Sequence, residues 1–324
     1  MRAFGTIAMG FVLFVSGGAT CARRPAPLPF PPAPVVFNET PTLQEVASVV
    51  NRTASIQQLS TNSASVEMLS MPSLPRLSSA TMNLQRDRNL RLRASIPILL
   101  GMGLDMGSND EVFWFEVPED MSKKLYYANH QQYKQQLDRA ILPVDPTWIM
   151  DALGLAQIDP ATVTAGPIAL PDGKLQVRST IPSPSGSYQR DLFIHPKAGY
   201  ITDQFLYNPM GRLVAQSQAS NHKYYEAQQC ALPHRVDINL VPTVGPPLTM
   251  RIDVSDYTVN QLLSGDPNLF TMPTSASRSV DLTTLSGATP DSLGMANPST
   301  NYPAGPSAYS AEAPTAYPIR GTLR

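Results

Sequence analysis

The sequence predicts a mainly β domain of the α+β class, built around a strongly curved antiparallel sheet with helical cover in its hollow. Residues 112–117 are apolar on both faces and rich in β-branched and aromatic types, so a strand here needs cover above and below. Residues 90–94 alternate apolar and charged side chains, which is typical of a strand with one face in water. From Thr162 onward, strand signals separated by turn signals recur without intervening helices, and this indicates antiparallel pairing.

The two ends of the 324-residue chain differ in composition from its middle. Residues 22–41 are rich in proline, which predicts a semi-rigid, extended tether. Residues 275–324 are rich in Pro, Ser, Ala and Thr and lack the large apolar residues of a core, which predicts a disordered tail. Residues 42–274 suffice for one substantial core, so we assign them to a single domain.

The first 21 residues have the layout of a secretory signal. Arg2 precedes an apolar run, residues 7–15, that is too short to span a bilayer, and small residues follow as far as Cys21. This ending is similar to bacterial lipoprotein signals, in which cleavage leaves a cysteine as the new N-terminus for acylation. The resemblance implies that acyl chains such as palmitate on Cys21 anchor the protein in the inner or outer membrane, facing the periplasm. The alternative is ordinary cleavage after Ala22, without an anchor.

Charge and cysteine content exclude several classes of protein. The formal net charge is −1 at pH 7, whereas binding to nucleic acid needs a basic face, so no nucleic-acid partner is predicted. If Cys21 is acylated, Cys230 has no cysteine left to pair with, and no disulfide framework is predicted. Cys230 is then interpreted as a small buried residue rather than as a reactive thiol.

Three stretches have helical patterns. Thr42 and Glu45 form a capping box at the start of an amphipathic helix of about five turns, predicted to end near Thr61. Residues 130–141 have apolar side chains in helical register. Residues 146–154 predict a short, very apolar helix between two blocks of strands, which makes it a candidate for a helix that plugs the hollow of the sheet.

The hairpin that precedes the two-faced strand is rich in arginine. Arg86, Arg88, Arg91 and Arg93 are interpreted as the solvated face of this hairpin, and the alternative is a contact for an acidic headgroup or an acidic partner. Residues 96–106, which follow, are apolar but contain two glycines, and this predicts a turn and a loop over the core.

No pattern predicts catalysis or a metal site. The four histidines lack the spacing of metal ligands, and the Gly-x-Ser-x-Gly motif of serine hydrolases is absent. Asp105, Asp110 and Glu111 are the closest approach to an acid–base pair, but carboxylates in loops beside a strand are usually solvated. We therefore predict neither enzymatic activity nor a cofactor.

The order of these elements resembles the lipoprotein-carrier family of bacteria, the LolA/LolB-like fold. The likeness rests on residues 42–59 as first helix, 84–94 as hairpin strand, 110–118 as aromatic strand, 146–154 as lid helix and 191–211 as a later strand pair. It implies a half-barrel that is not closed, with helices covering an apolar concave face that takes acyl chains. We interpret six residues as candidates for the wall of that cavity, with ordinary core packing as the alternative for each: Leu92, Phe113, Trp114, Phe115, Trp148 and Ile149.

These observations predict a membrane-anchored, exported lipoprotein that binds lipid, or the acyl chains of other lipoproteins, by burial in the half-barrel, and that takes part in lipoprotein localisation. The rival hypothesis is a structural envelope lipoprotein. Side chains then fill the sheet, and the tail, with Tyr302-Pro303 and Tyr317-Pro318, binds an envelope partner.

Overall fold

The computed structural model describes residues 30–72, 75–95, 103–119, 122–135, 147–242, 247–261, 266–274 and 278–284. The predicted signal, including Cys21, lies outside the described residues. The same holds for the first part of the predicted tether and for most of the predicted tail. The fate of Cys21 therefore stays a prediction.

The described residues form three short α-helices and seventeen strands. The helices are α1 (Leu43–Val50), α2 (His130–Lys134) and α3 (Trp148–Met150), and α3 continues into a π-type turn at Asp151–Leu155. No helix in this part of the chain is long and apolar enough to cross a membrane. The strands are β1 (Gln58–Met68), β2 (Leu77–Gln85), β3 (Asn89–Ser95), β4 (Gly103–Ser108), β5 (Val112–Glu119), β6 (Ser122–Asn129), β7 (Val163–Ala169), β8 (Leu175–Ser183), β9 (Gly186–Ile194), β10 (Ile201–Tyr207), β11 (Leu213–Ser220), β12 (Lys223–Tyr225), β13 (Cys230–Leu232), β14 (Arg235–Leu240), β15 (Leu248–Val254), β16 (Thr258–Val259) and β17 (Arg278–Asp281).

All described strands except β12 and β13 belong to one sheet. Its order is β17-β6-β5-β4-β3-β2-β1-β15-β14-β11-β10-β9-β8-β7, with β16 paired to β1. The pairings are antiparallel except that of β17 with β6. The sheet is curved. Because its edge strands β17 and β7 do not pair with each other, it does not close into a barrel. The predicted fold class is confirmed.

One face of the sheet carries the hydrophobic core, and we call it the concave face. Alternate residues of neighbouring strands, such as Leu92 on β3 and Phe113 on β5, meet there in one large buried cluster with α3. A smaller cluster forms where α1 packs through Val46 and Val50 against β8 and β9, near Phe37. The helices therefore lie on the concave side, as the sequence predicts.

The first helix is shorter than predicted. Its capping box between Thr42 and Glu45 is present, but α1 ends at Val50 and a 3-10 turn follows at Asn51–Ser55. From Gln58 the chain is already in β1, which pairs with β2 and β15. The apolar residues in 56–61 fit the period of a strand as well as that of a helix. Pairing with β2 and β15 favours the strand.

The prediction of a loop at residues 96–106 is wrong for residues 103–106, because β4 begins at Gly103. Glycine is found in this strand because other groups approach its backbone closely. A Cβ atom at Gly107 would overlap the ring of Trp114, and one at Gly103 would lie 2.6 Å from the carbonyl oxygen of Ala94. The glycines therefore indicate crowding in a strand rather than a turn.

The convex face near β3 is covered by the chain itself, which contradicts the interpretation of Arg91 as solvated. Arg91 is 4% exposed. Its Nε and Nη2 donate to the two carboxylate oxygens of Asp105 at 2.9 and 2.6 Å, and Nη1 donates to the carbonyl oxygens of Leu269 and Thr271 at 3.2 and 2.6 Å. Arg93 retains the predicted exposure, with half of its side chain in solvent.

Both predicted extensions contribute to the domain where they are described. Toward the N-terminus, the backbone N–H groups of Val36 and Phe37 donate to the carbonyl oxygen of Lys197. Beyond residue 274, β17 adds a strand beside β6, and Leu282 is buried in the core. Residues on both sides of 42–274 therefore contribute to the described fold. Val280 and Leu282 provide apolar side chains for the core there, which a composition average over residues 275–324 conceals.

Candidate functional site

The candidate site is the apolar lining of the concave face. Side chains from both halves of the sheet contribute to it, and none of those named here is more than 8% exposed. Such a surface suits hydrocarbon and offers no polar partner. The lining includes Met82, Leu84, Leu90, Leu92, Ala94, Leu104, Phe113, Ala128, Val236, Ile238, Met250 and Ile252.

A short helical segment, α3 with its π-type turn, lies on this lining, and we call residues 148–155 the cover. Its side chains Trp148, Ile149 and Leu153 are between 0% and 6% exposed and belong to the same cluster as the sheet residues. Gly154, the last residue but one of the cover, has φ +95°, and a Cβ there would lie 2.6 Å from Cδ of Pro233. Glycine is needed on both counts. The cover lies where the predicted plug helix was expected.

Five of the six predicted wall residues lie together on the concave side. Leu92 and Phe113 are buried in the lining, Trp148 and Ile149 belong to the cover, and Phe115 packs against the cluster from its edge. Their position beside a bound acyl chain remains a proposal.

Trp114 is the exception. It faces the convex side, 1% exposed, with the guanidinium of Arg91 5.3 Å from its ring. Successive residues of a strand point to opposite faces, so Trp114 cannot line the same hollow as its neighbours Phe113 and Phe115.

One end of the cover is attached to the first half of the sheet by Arg86, which the sequence analysis assigned to a solvated face. Its Nε donates to the carbonyl oxygen of Ile56 at 2.8 Å, and its Nη2 donates to those of Thr53 and Leu155, both at 3.1 Å. Burial lowers the pKa of Arg86, while the carboxylate of Asp151 nearby raises it. Arg86 is therefore a charged link between β2, the 3-10 turn and the cover.

The second half of the sheet holds the cover through Arg190 on β9. Its Nη1 lies 3.3 Å from Oδ2 of Asp151, and its Nη2 donates to the carbonyl oxygen of Gln157 at 2.8 Å. Arg190 was missed as a functional residue. The signal was present, because Arg190 alternates with the inward-facing Leu192 and Ile194 and so places a charge on an apolar face.

Some buried polar groups have no hydrogen-bond partner among the described residues. They include Nε1 of Trp148 in the cover, the hydroxyl of Tyr257 in the same cluster and the side-chain amide of Gln204 on β10. A buried donor without an acceptor is costly, at roughly 1–3 kcal/mol. The indole N–H is thus available to an oxygen atom that enters the hollow.

The residues considered for chemistry do not assemble into a reactive group. Both carboxylate oxygens of Asp105 accept hydrogen bonds from the guanidinium of Arg91, so this carboxylate has a structural partner rather than an acid–base one. Burial raises the pKa of the Cys230 thiol to about 11, so it is protonated at neutral pH. Among the described residues, no group of His, Cys, Asp and Glu side chains is placed to hold a metal ion.

Acidification is expected to destabilise the fold through His222. Its Nε2–H donates to the carbonyl oxygen of Ile201 at 3.1 Å, and burial lowers its pKa from 6.5 to about 4. Since the unfolded chain takes up a proton first, the stability due to neutral His222 is complete above pH 6.5 and is lost as the pH falls towards 4. The expected loss is about 2–3 kcal/mol after allowance for partial exposure.

Urea unfolding at about pH 7.5 and about pH 4.5 measures this effect. A His222→Gln variant keeps a donor for Ile201 and is expected to lose less stability between the two conditions than the parent. His195 also has a pKa lowered by burial but is nearer solvent, so His195→Gln is the matched control with a smaller effect. An identical loss in parent and His222→Gln would contradict the assignment.

Comparison with known proteins gives similarity in structure but not in sequence. No known protein-family profile matches the chain, and no curated protein matches it. Among solved structures, it is similar to an outer membrane lipoprotein-sorting protein domain from Vibrio parahaemolyticus at 10% identity and TM-score 0.43, covering 69% of this chain and 94% of that one.

Two further solved structures are similar at the same level. A LolA superfamily protein from Nitrosomonas europaea has 13% identity and TM-score 0.38, covering 70% of this chain and 97% of that one. A DUF1329 family protein from Desulfovibrio piger has 12% identity and TM-score 0.41, covering 68% and 92%. The likeness to these three proteins concerns the course of the chain rather than any ligand.

Proposed function

We propose that this protein is a non-catalytic carrier that binds lipid, or the acyl chains of lipoproteins, on the concave face of its sheet. The observation that supports this most directly is the cover. A segment of eight residues, 148–155, that is not part of the sheet presents its apolar side chains to the lining and is held at its C-terminal side by two arginines.

An acyl chain can enter between the cover and the lining without a change in the sheet. Both are apolar, and binding is driven by roughly 25 cal/mol per Å² of apolar surface removed from water. The sheet is held by its own backbone ladder, so lifting the cover breaks few hydrogen bonds of the sheet. The N–H group of Trp148 provides a donor for a carbonyl or carboxylate oxygen at the head of the chain.

The proposal includes export and anchoring through an acylated Cys21, with residues 22–29 as a spacer between the membrane and the domain. Cargo uptake would then occur close to the bilayer of the cell envelope, where the free concentration of acyl chains in water is low. The mass of the mature N-terminus tests this part: acylated Cys21 supports it, whereas a start at Arg23 contradicts it.

Saturable binding of a fluorescent fatty acid to the purified chain, together with native mass spectrometry for co-purified lipid, tests the carrier function. Ile149→Asn puts an amide into the cover and is expected to weaken binding about tenfold, as an unpaired polar group costs on the order of 1–3 kcal/mol. Ile168→Asn is the matched control, because Ile168 on β7 is 48% exposed. Absence of both co-purified lipid and saturable binding would rule the carrier out.

A second candidate function is favoured by the tight packing of the lining. Leu92, Phe113, Trp148 and Ile149 are at most 6% exposed, as in a sheet that is filled by its own side chains. The protein would then be a structural envelope lipoprotein whose tail binds an envelope partner. Deletion of residues 285–324 distinguishes the two: a scaffold loses its partner, whereas a carrier keeps its lipid binding.

A further inference from the structure

An open groove of about 470 Å³ lies at the end of β8 and β9, beside the segment that follows the cover. Ile158 and Ile181 provide apolar walls, Asp159 stands at the rim and Arg190 is at the floor. Ile158 is buried in the smaller core cluster, whereas Ile181 is 38% exposed. The groove therefore leads from solvent to the smaller core cluster, beside the residues that follow the cover.

Arg190 is buried, with 11% of its side chain exposed, yet its hydrogen bonding is weak for a buried guanidinium. Its contacts to Oδ2 of Asp151 and to Oγ of Ser179 are 3.3 and 3.4 Å long, near the limit for a hydrogen bond, and only the bond to the carbonyl oxygen of Gln157 is short. A guanidinium has five N–H donors, and three have partners among the described residues. Two donors are left for a ligand oxygen.

The charges along the groove are ordered by depth. The positive charge of Arg190 is buried, whereas the carboxylate of Asp159 is exposed at the rim. Asp151 contacts Arg190 from outside the groove lining. A purely anionic ligand would meet the carboxylate of Asp159 on its way in. A ligand with an anionic group near its apolar part and a cationic group farther out matches this order.

We propose that the groove binds the headgroup of a zwitterionic phospholipid, with the phosphate on Arg190 and the ammonium group near Asp159. This inference rests on the proposed function, since the acyl chains of the same lipid then lie on the concave face. The phosphate forms charge-assisted hydrogen bonds with the two remaining donors of Arg190 and competes with Asp151 for a third. The carrier thereby distinguishes phospholipids from other acyl compounds by their headgroup.

Calorimetric titration of the full chain with three single-chain lipids of equal acyl length, each below its micelle concentration, tests this. The probes are lysophosphatidylethanolamine, lysophosphatidylglycerol and an uncharged monoacylglycerol. The parent is expected to bind lysophosphatidylethanolamine about tenfold more tightly than the monoacylglycerol. Arg190→Gln is expected to abolish this difference; because Arg190 also holds the cover, the readout is the ratio of the two affinities, which a change in the cover alone leaves at its parent value.

Three further variants separate a headgroup site from a structural role of Arg190. Arg178→Gln is the matched control, because Arg178 is on the neighbouring strand, points to the opposite face and pairs with Asp191. Asp151→Asn removes the competing carboxylate and is expected to leave lysophosphatidylethanolamine bound at least as tightly. Asp159→Asn is expected to reduce the preference for lysophosphatidylethanolamine over lysophosphatidylglycerol by about threefold.

Four outcomes count against the headgroup site. Equal affinity of the parent for all three lipids overturns it and leaves the carrier function intact. Equal weakening of every lipid by Arg190→Gln, or by Asp151→Asn, assigns the pair to holding the cover instead. Unchanged preference in Asp159→Asn removes the assignment of the ammonium group. No binding of any of the three lipids overturns the proposed function itself.

Discussion

Replacing Arg91 by methionine is expected to lower the free energy of unfolding by about 3–5 kcal/mol, because it breaks a buried ion pair and leaves one partner behind. The carboxylate of Asp105 loses its two-pronged partner, and the carbonyl oxygens of Leu269 and Thr271 lose their donor. Methionine has a similar length but no donor, so the loss is of charge and hydrogen bonds rather than of volume. Urea unfolding, followed by the fluorescence of the two tryptophans, of which Trp114 lies beneath Arg91, measures it.

Arg93→Met is the matched control for this prediction. Arg93 contacts the same carboxylate of Asp105 at 3.4 Å from the same strand, but half of its side chain is in solvent. An exposed ion pair contributes at most about 1 kcal/mol. If the two variants lose the same free energy of unfolding, the burial of Arg91 under residues 266–271 does not strengthen its ion pair with Asp105.

The two arginines also show how far the sequence predicts the surface. The alternation of residues 90–94 predicts the strand and the face on which Arg91 and Arg93 lie, and both are on one face. The local alternation carries no information about the contact with Leu269, which is 178 positions along the chain from Arg91. Which of two equivalent arginines becomes buried is decided by that tertiary contact.

The same limit applies to the wall of the hollow. The strand at β5 was predicted to need cover on both faces, and Phe113 and Trp114 are indeed covered on opposite sides. A two-faced pattern does not say which face is concave, so all three aromatic residues became wall candidates. The cover was easier to predict, since a short apolar stretch ending in Gly154 has few other places to go.

The second large effect is expected from Arg86→Met, which detaches the cover from the first half of the sheet. Arg86 donates to the carbonyl oxygens of Ile56, Thr53 and Leu155. Hydrogen bonds from a charged donor contribute roughly 1.5–3 kcal/mol each, and water replaces part of that at a half-buried position. Only the bond to Leu155 is lost when the cover opens, so we expect the free energy of opening to fall by about 1–2 kcal/mol.

Hydrogen exchange of the amides in residues 148–155, read by mass spectrometry under native conditions, measures this opening. Arg88→Met is the matched control, since Arg88 lies in the same hairpin and makes no hydrogen bond or ion pair to another described residue. If Arg86→Met accelerates exchange in the cover and leaves the amides of β2 and β3 protected, the cover opens as a unit separate from the sheet, as a carrier requires. If the sheet and the cover lose protection together, the cover is an inseparable part of the core, and an acyl chain could enter only by unfolding the domain.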